Sequence, residues 1–176
     1  MSIKKFTAQK NENIEVVSYD PQWPQLFADE AEPIKLALES NCLALHHFGS
    51  TSVPGLESKP KIDILAVVKQ FSKVNALALE NLGFEDRGEV IPSGRYFAKK
   101  KPHIHLHVFE EGNPLIERNL IFRDWLRAHQ PDRDSYAELK RSLAVLHTDG
   151  MAYCRAKTAF INKIIDKALD EQKKEK

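Results

Sequence analysis

Seven consecutive residues, Ile62-Asp63-Ile64-Leu65-Ala66-Val67-Val68, form an apolar, partly β-branched run interrupted by a single carboxylate. The run does not alternate, so it reads as a buried strand rather than one with a solvated face. Asp63 is thereby carried toward the interior, where a carboxylate is costly unless it is paired or bound to a cation. Either a salt bridge to Lys59 or Lys61 or a functional role answers that cost.

The flanking sequence supplies the elements such a strand needs. Ile14 to Tyr19 reads as a short strand or an extended lead-in. Asp20-Pro21 then offers an N-cap and a first-turn proline to a helix carrying Leu26, Phe27, Ile34 and Leu38, with a kink expected at Pro33. Leu43 to Phe48 reads as a strand stopped by Gly49, and Phe71 to Leu82 as a helix closed by Gly83. Gly94 to Lys99 and His103 to Phe109 are further strand candidates; in the second, Ile104, Leu106 and Val108 alternate with histidines. From Pro114 the period becomes helical, over 115–129, 133–147 and 150–169. The order points to an α+β fold: a small mixed sheet, a helical carboxyl-terminal half, and helices on one side. One domain over 14–169 is expected, with loose tails at 1–13 and 170–176.

Composition excludes several classes of function. Lys+Arg 26 against Asp+Glu 25 leaves a net charge of +1, whereas a dedicated nucleic-acid binder is usually more basic. Cys42 and Cys154 lie far apart without metal-ligand spacing and read as reduced, buried thiols. No stretch resembles a signal peptide or a membrane span, so a cytoplasmic location is expected.

The chemistry concentrates between residues 47 and 64. Gly49-Ser50-Thr51-Ser52 follows a strand, and a glycine there lets backbone approach a phosphate while the next hydroxyls and amides turn toward the same anion. Asp63 on the neighbouring strand is then placed to hold Mg²⁺ against those phosphates. Taken alone, Gly49-Ser50 is also an ordinary small-residue turn.

Gly-Ser, a dozen residues, then an Asp on an apolar strand resembles the signature of polymerase-β-type nucleotidyltransferases. From Val16 to about Ala168 the chain resembles the GrpB family more specifically. The resemblance is carried by Tyr19-Asp20-Pro21, the Gly-Ser-Thr-Ser-Val-Pro-Gly-Leu loop, Lys59-Pro60, His105-Leu106-His107 and Phe122-Arg123-Asp124-Trp125. Tyr136, Lys140, Tyr153 and Lys157 extend it into the helical half. It implies a nucleotidyltransferase fold and metal-dependent transfer of a nucleotidyl group from a nucleoside triphosphate. Asp63, His105 and His107 take the catalytic positions, with Asp63 the metal ligand. Lys59, Arg123, Lys140, Tyr153 and Lys157 join Gly49, Ser50, Thr51 and Ser52 as the phosphate-binding set. Similar domains fused behind dephospho-coenzyme A kinases point to nucleotide or coenzyme A metabolism, and a non-catalytic binding module or partner protein is the alternative.

The chain departs from the signature at two places. The second carboxylate is expected two residues after the first, where this chain has Leu65, and the third falls on a strand that offers His105 and His107. Two divalent ions about 4 Å apart repel by roughly 16 kcal/mol at an effective dielectric of 20, so one carboxylate is a poor host for both. One Mg²⁺ at most is expected in the free protein. His-x-His is also a spacing used by zinc sites, although a polar row of unligated histidines is the commoner outcome. Lys99-Lys100-Lys101 reads as a solvated turn. Lys140 and Lys157, judged by periodicity alone, read as lysines with their stems on the protein surface.

Overall fold

In the computed structural model the described residues are 14–91 and 94–174. The run at 62–68 becomes strand β2 (Ile62–Val68), flanked by β1 (Cys42–Phe48) and β5 (Ile104–Glu110). With β3 (Glu85–Ile91) and β4 (Gly94–Lys99) they form one sheet in the order β1-β2-β5-β4-β3. The β2–β5 pair is parallel and the others are antiparallel, so the sheet is mixed as expected. Val17 adds an isolated bridge to Ser58, which makes the lead-in extended rather than a full strand.

Both faces of β2 are covered. Ile62, Ile64, Ala66 and Val68 join Ile104, Leu106, Val108 and Phe97 beneath Trp23, Ile34 and Leu38 of α1 (Trp23–Leu38) and Leu79 of α2 (Ala76–Asn81). On the opposite face Leu65 and Val67 pack with Phe48 and Phe109 against Leu115 and Ile116 of α3 (Pro114–Ala128). Helices therefore cover both sides of the sheet, where one side was expected. The reason is the run itself: leucine at 65 and valine at 67 must be buried as much as Ile64 and Val68. A third cluster joins Val53 and Leu56, after the Gly-Ser loop, to α3, α4 (Gln130–Leu146) and α6 (Thr158–Lys174), so that loop fastens the helical half to the sheet in addition to the direct packing of α3.

Several local expectations are corrected. The first helix starts at Trp23, and Asp20 accepts from the Gln22 amide at 2.9 Å before it; Pro33 lies inside the helix. Residues 71–82 split into a 3₁₀ turn at Phe71–Lys73 and α2, because Asn75 caps a new helix by accepting from the Ala78 amide. Strand β3 was not foreseen. The helix expected over 150–169 is two helices, α5 (Gly150–Ala156) and α6, meeting at Lys157, and α6 stays helical to Lys174, within the stretch expected to be loose. The other loose tail, residues 1–13, lies outside the described residues. Cys154 is exposed and Cys42 half-buried, rather than both being buried. Lys99 leaves the basic turn to pair with Glu30 of α1 at 2.9 Å.

Leu65 is fully buried among Phe48, Val67 and Phe109. A carboxylate there has no partner in that cluster, so Leu65→Asp is expected to lose at least about 4 kcal/mol of stability in urea denaturation. A variant as stable as the parent would show that this position opens onto the site.

Candidate functional site

The strand register assembles the site. In the parallel β2–β5 ladder Asp63 pairs with His105 and Leu65 with His107; across β1, Phe48 pairs with Asp63. Tyr96 of β4 pairs with His107. Since alternate residues share a face, Asp63, His105 and His107 project together, and their ligand atoms lie within 4.8 Å of one another. Asp63 Oδ1 is 3.5 Å from His105 Nδ1 and 3.9 Å from His107 Nε2. Tyr96 packs against both rings and Phe48 meets His107 edge-on at 5.1 Å, which fixes the imidazoles.

Lys61 completes the cluster. Its ammonium lies 3.5 Å from Asp63 Oδ1 and 2.8 Å from His105 Nδ1. An ammonium only donates, so Nδ1 is the acceptor and the ring proton sits on Nε2, which is 3.2 Å from His103 Nε2. Burial pushes the Asp63 carboxyl up, but Lys61, His105 and His107 outweigh it and hold the group well below the usual carboxylate range. His107 is pushed down to about 4 and His105 is also lowered, both mainly by burial, so the rings are neutral at pH 7. The Asp63 side chain remains 16% exposed, enough for a small ion to reach it.

Gly49 meets this cluster from the loop. Its φ of +70° with ψ of −175° is open essentially to glycine alone, and a Cβ built there would fall 2.6 Å from Asp63 Oδ2. The loop beyond it is held internally. Ser52 Oγ donates to the Gly49 carbonyl at 2.6 Å, and Thr51 donates to the Lys61 carbonyl at 3.1 Å while accepting from His47 Nε2 at 3.0 Å. Thr51 and Ser52 are buried by these contacts, so they shape the loop. Ser50 is more accessible, and its side chain is a hydrogen-bond partner of the buried Tyr136 hydroxyl.

Beyond Ser50 the remaining lysines converge. Lys59 and Lys157 stand over the Tyr153 ring at 5.5 and 4.4 Å, and Lys140 stands over Tyr136 at 4.9 Å. Lys140 is only 2% exposed; it donates to the Glu57 carbonyl, and burial, helped by Lys157, pushes its ammonium down to about 7. Burial lowers Lys59 as well, with Lys61 and Lys157 adding repulsion. None of the three forms an ion pair with a carboxylate among the described residues. Tyr153 is fully buried and its hydroxyl has no hydrogen-bond partner.

Arg123 does not join this group. It donates to the His47 carbonyl at 3.1 Å and to Asp124 at 2.7 Å, in a separate groove of about 490 Å³ shared with Arg127 and Arg133. A larger cavity, about 820 Å³ and bordered by Leu43, Ile116 and Leu120, contains none of the expected site residues; charge and geometry place the chemistry at Asp63. Sequence reasoning weighed Lys61 only as a salt-bridge partner and did not select Tyr96, since the β4–β5 register is what brings that ring to the histidines.

The donor set does not suit a pair of Mg²⁺ ions. Such ions want oxygen ligands, and here one carboxylate stands among imidazole nitrogens and an ammonium, with Leu65 buried in an apolar cluster.

Fold and site define a small α+β protein in which a carboxylate–imidazole cluster sits on two parallel strands beside a group of lysines stacked over tyrosine rings. The chain belongs to the GrpB family, whose profile, described as GrpB protein, matches residues 13–167. It is 41% identical to the UPF0157 protein BH1888 of Halalkalibacterium halodurans, over 90% of this chain and 84% of that one. The UPF0157 protein YqkA of Bacillus subtilis is 39% identical over 84% of this chain, which spans only 45% of its length. The crystal structure of conserved protein GrpB from Enterococcus faecalis superposes with a TM-score of 0.82 at 37% identity, covering 90% of this chain and 99% of that one. No helix among the described residues is long and apolar enough to cross a membrane.

Gly49→Ala is expected to cost about 2–4 kcal/mol in urea denaturation, part from backbone strain and part from the clash with Asp63. In an Asp63→Ala background the 2.6 Å clash with Oδ2 is removed, though Cβ stays at 3.2 Å, and roughly half of that penalty remains. Equal penalties in both backgrounds would show that Gly49 does not make room for the carboxylate.

Proposed function

We propose that the protein binds a nucleoside triphosphate, its phosphates on Lys59, Lys140 and Lys157 beside Ser50, and positions it at Asp63 for transfer of a nucleotidyl group to an acceptor. The observation that carries this reading is the convergence of three lysines with no carboxylate ion pair among the described residues, one of them almost wholly buried. Burying an ammonium without a counter-charge is expensive, and an arriving polyanion supplies that counter-charge. The orphaned Tyr153 hydroxyl favours the same position for a ligand oxygen. Ser50 adds a hydroxyl, and Gly49 keeps the chain close to Asp63.

In transfer, the lysines offset charge on the departing pyrophosphate while the ionised Asp63 faces the acceptor side. The burial of Leu65 favours a second reading, a nucleotide-binding module that does not catalyse transfer. Pyrophosphate release from a panel of nucleoside triphosphates separates the two.

Binding itself is tested by calorimetry. A polyphosphate favours the charged form of Lys140, whose folded value near 7 lies below that of a free lysine. Affinity should therefore be fullest below about pH 7 and decline as pH rises, with proton uptake on binding near pH 8. Lys157→Ala is expected to weaken binding about ten- to a hundredfold, and Lys140→Met to remove the pH dependence. Wild-type affinity in Lys157→Ala, or affinity that rises with pH, would overturn the assignment.

A further inference from the structure

We propose that Asp63, His105 and His107 form a site for one borderline divalent transition metal, with Zn²⁺ as its probe, and that Lys61 is the cation this metal displaces. The assignment goes beyond the nucleotide reading and does not depend on it, because the site is complete in the free protein.

Three observations carry it. First, the ligand atoms come from two adjacent parallel strands in fixed register, so their spacing is set by the ladder rather than by a loop. A tetrahedral centre with ligands at 2.0–2.2 Å requires neighbouring donors roughly 3.3–3.5 Å apart. Asp63 Oδ1 lies 3.5 Å from His105 Nδ1 and 3.9 Å from His107 Nε2, and the three ligand atoms lie within 4.8 Å of one another, so binding draws the donors together by about an ångström at most.

Second, the cluster already holds a cation. The Lys61 ammonium donates to His105 Nδ1 at 2.8 Å and lies 3.5 Å from Asp63 Oδ1, so the lone pairs that would hold a metal are turned toward a positive charge. Third, the outer partners of a metal-bound imidazole are present. His105 Nε2 faces His103 Nε2 at 3.2 Å, and the Tyr96 and Phe48 rings set the planes of the two imidazoles. Imidazole with one carboxylate is a ligand set for zinc, iron, cobalt or nickel, whereas Mg²⁺ selects oxygen. The single carboxylate that leaves a two-magnesium site incomplete is sufficient for one such ion.

The test is titration of the metal-stripped full chain with Zn²⁺ and with Mg²⁺, followed by calorimetry and by competition with a chromophoric chelator. One Zn²⁺ per chain is expected, bound at least about a hundredfold more tightly than Mg²⁺, with His107→Ala and Asp63→Asn each losing about a hundredfold. His103→Ala should lose about tenfold, the lower end of what removing an outer partner costs. Lys61→Met removes the competing ammonium and is expected to raise Zn²⁺ affinity about tenfold; it keeps the test decisive if a histidine variant fails to fold. Zn²⁺ binding no tighter than Mg²⁺, binding that survives His107→Ala, or weaker binding in Lys61→Met would overturn the proposal. Nucleotide titration of the same metal-free protein is read separately, so either assignment can fail alone.

Discussion

A carboxylate placed within an otherwise apolar central strand governs this structure. Asp63 remains ionised because its neighbours, the Lys61 ammonium foremost, outweigh the cost of its burial, and the strand register brings the two imidazoles beside it. Lys61 stands just before the strand that carries Asp63, while His105 and His107 come from the parallel neighbour. The glycine conformation of the loop, the parallel β2–β5 pairing and the aromatic collar at Tyr96 and Phe48 all serve this one group. Moving the β5 register by one residue would turn both imidazoles to the face covered by α1.

The helical half contributes charge of the opposite kind. Where Asp63 has an ion pair, Lys59, Lys140 and Lys157 have none among the described residues, and tyrosine rings lie beneath them. A cation over a ring contributes about 1–2 kcal/mol, less than the desolvation of a buried ammonium costs, which is why Lys140 falls to about 7. The loop from Gly49 to Leu56 joins the two regions: one end abuts Asp63, Ser50 bonds Tyr136, and Val53 and Leu56 pack among the carboxyl-terminal helices.

Much of this was legible in the residues. The run at 62–68 identified a central strand, and burying a carboxylate there marked Asp63 as paired or functional. The alternation at 104–108 placed His105 and His107 on one face. Other features depend on contacts between distant segments. Tyr96 becomes part of the site only through the β4–β5 register, and Lys61 was ambiguous until His105 stood beside it. The single helical period over 150–169 hid the break at Lys157, yet Lys157 still reaches the Tyr153 ring. Arg123 matched by resemblance but turns to the other side of the loop, where the His47 carbonyl and Asp124 take up its donors.

The most direct measurement of the central claim is a crystal structure with a non-hydrolysable nucleoside triphosphate. The account requires phosphate oxygens within hydrogen-bond distance of the Lys59 and Lys157 ammonium groups and of Ser50, with the α-phosphate nearest Asp63. Phosphates seated instead in the groove of Arg123, Arg127 and Arg133, with the lysines untouched, would contradict it.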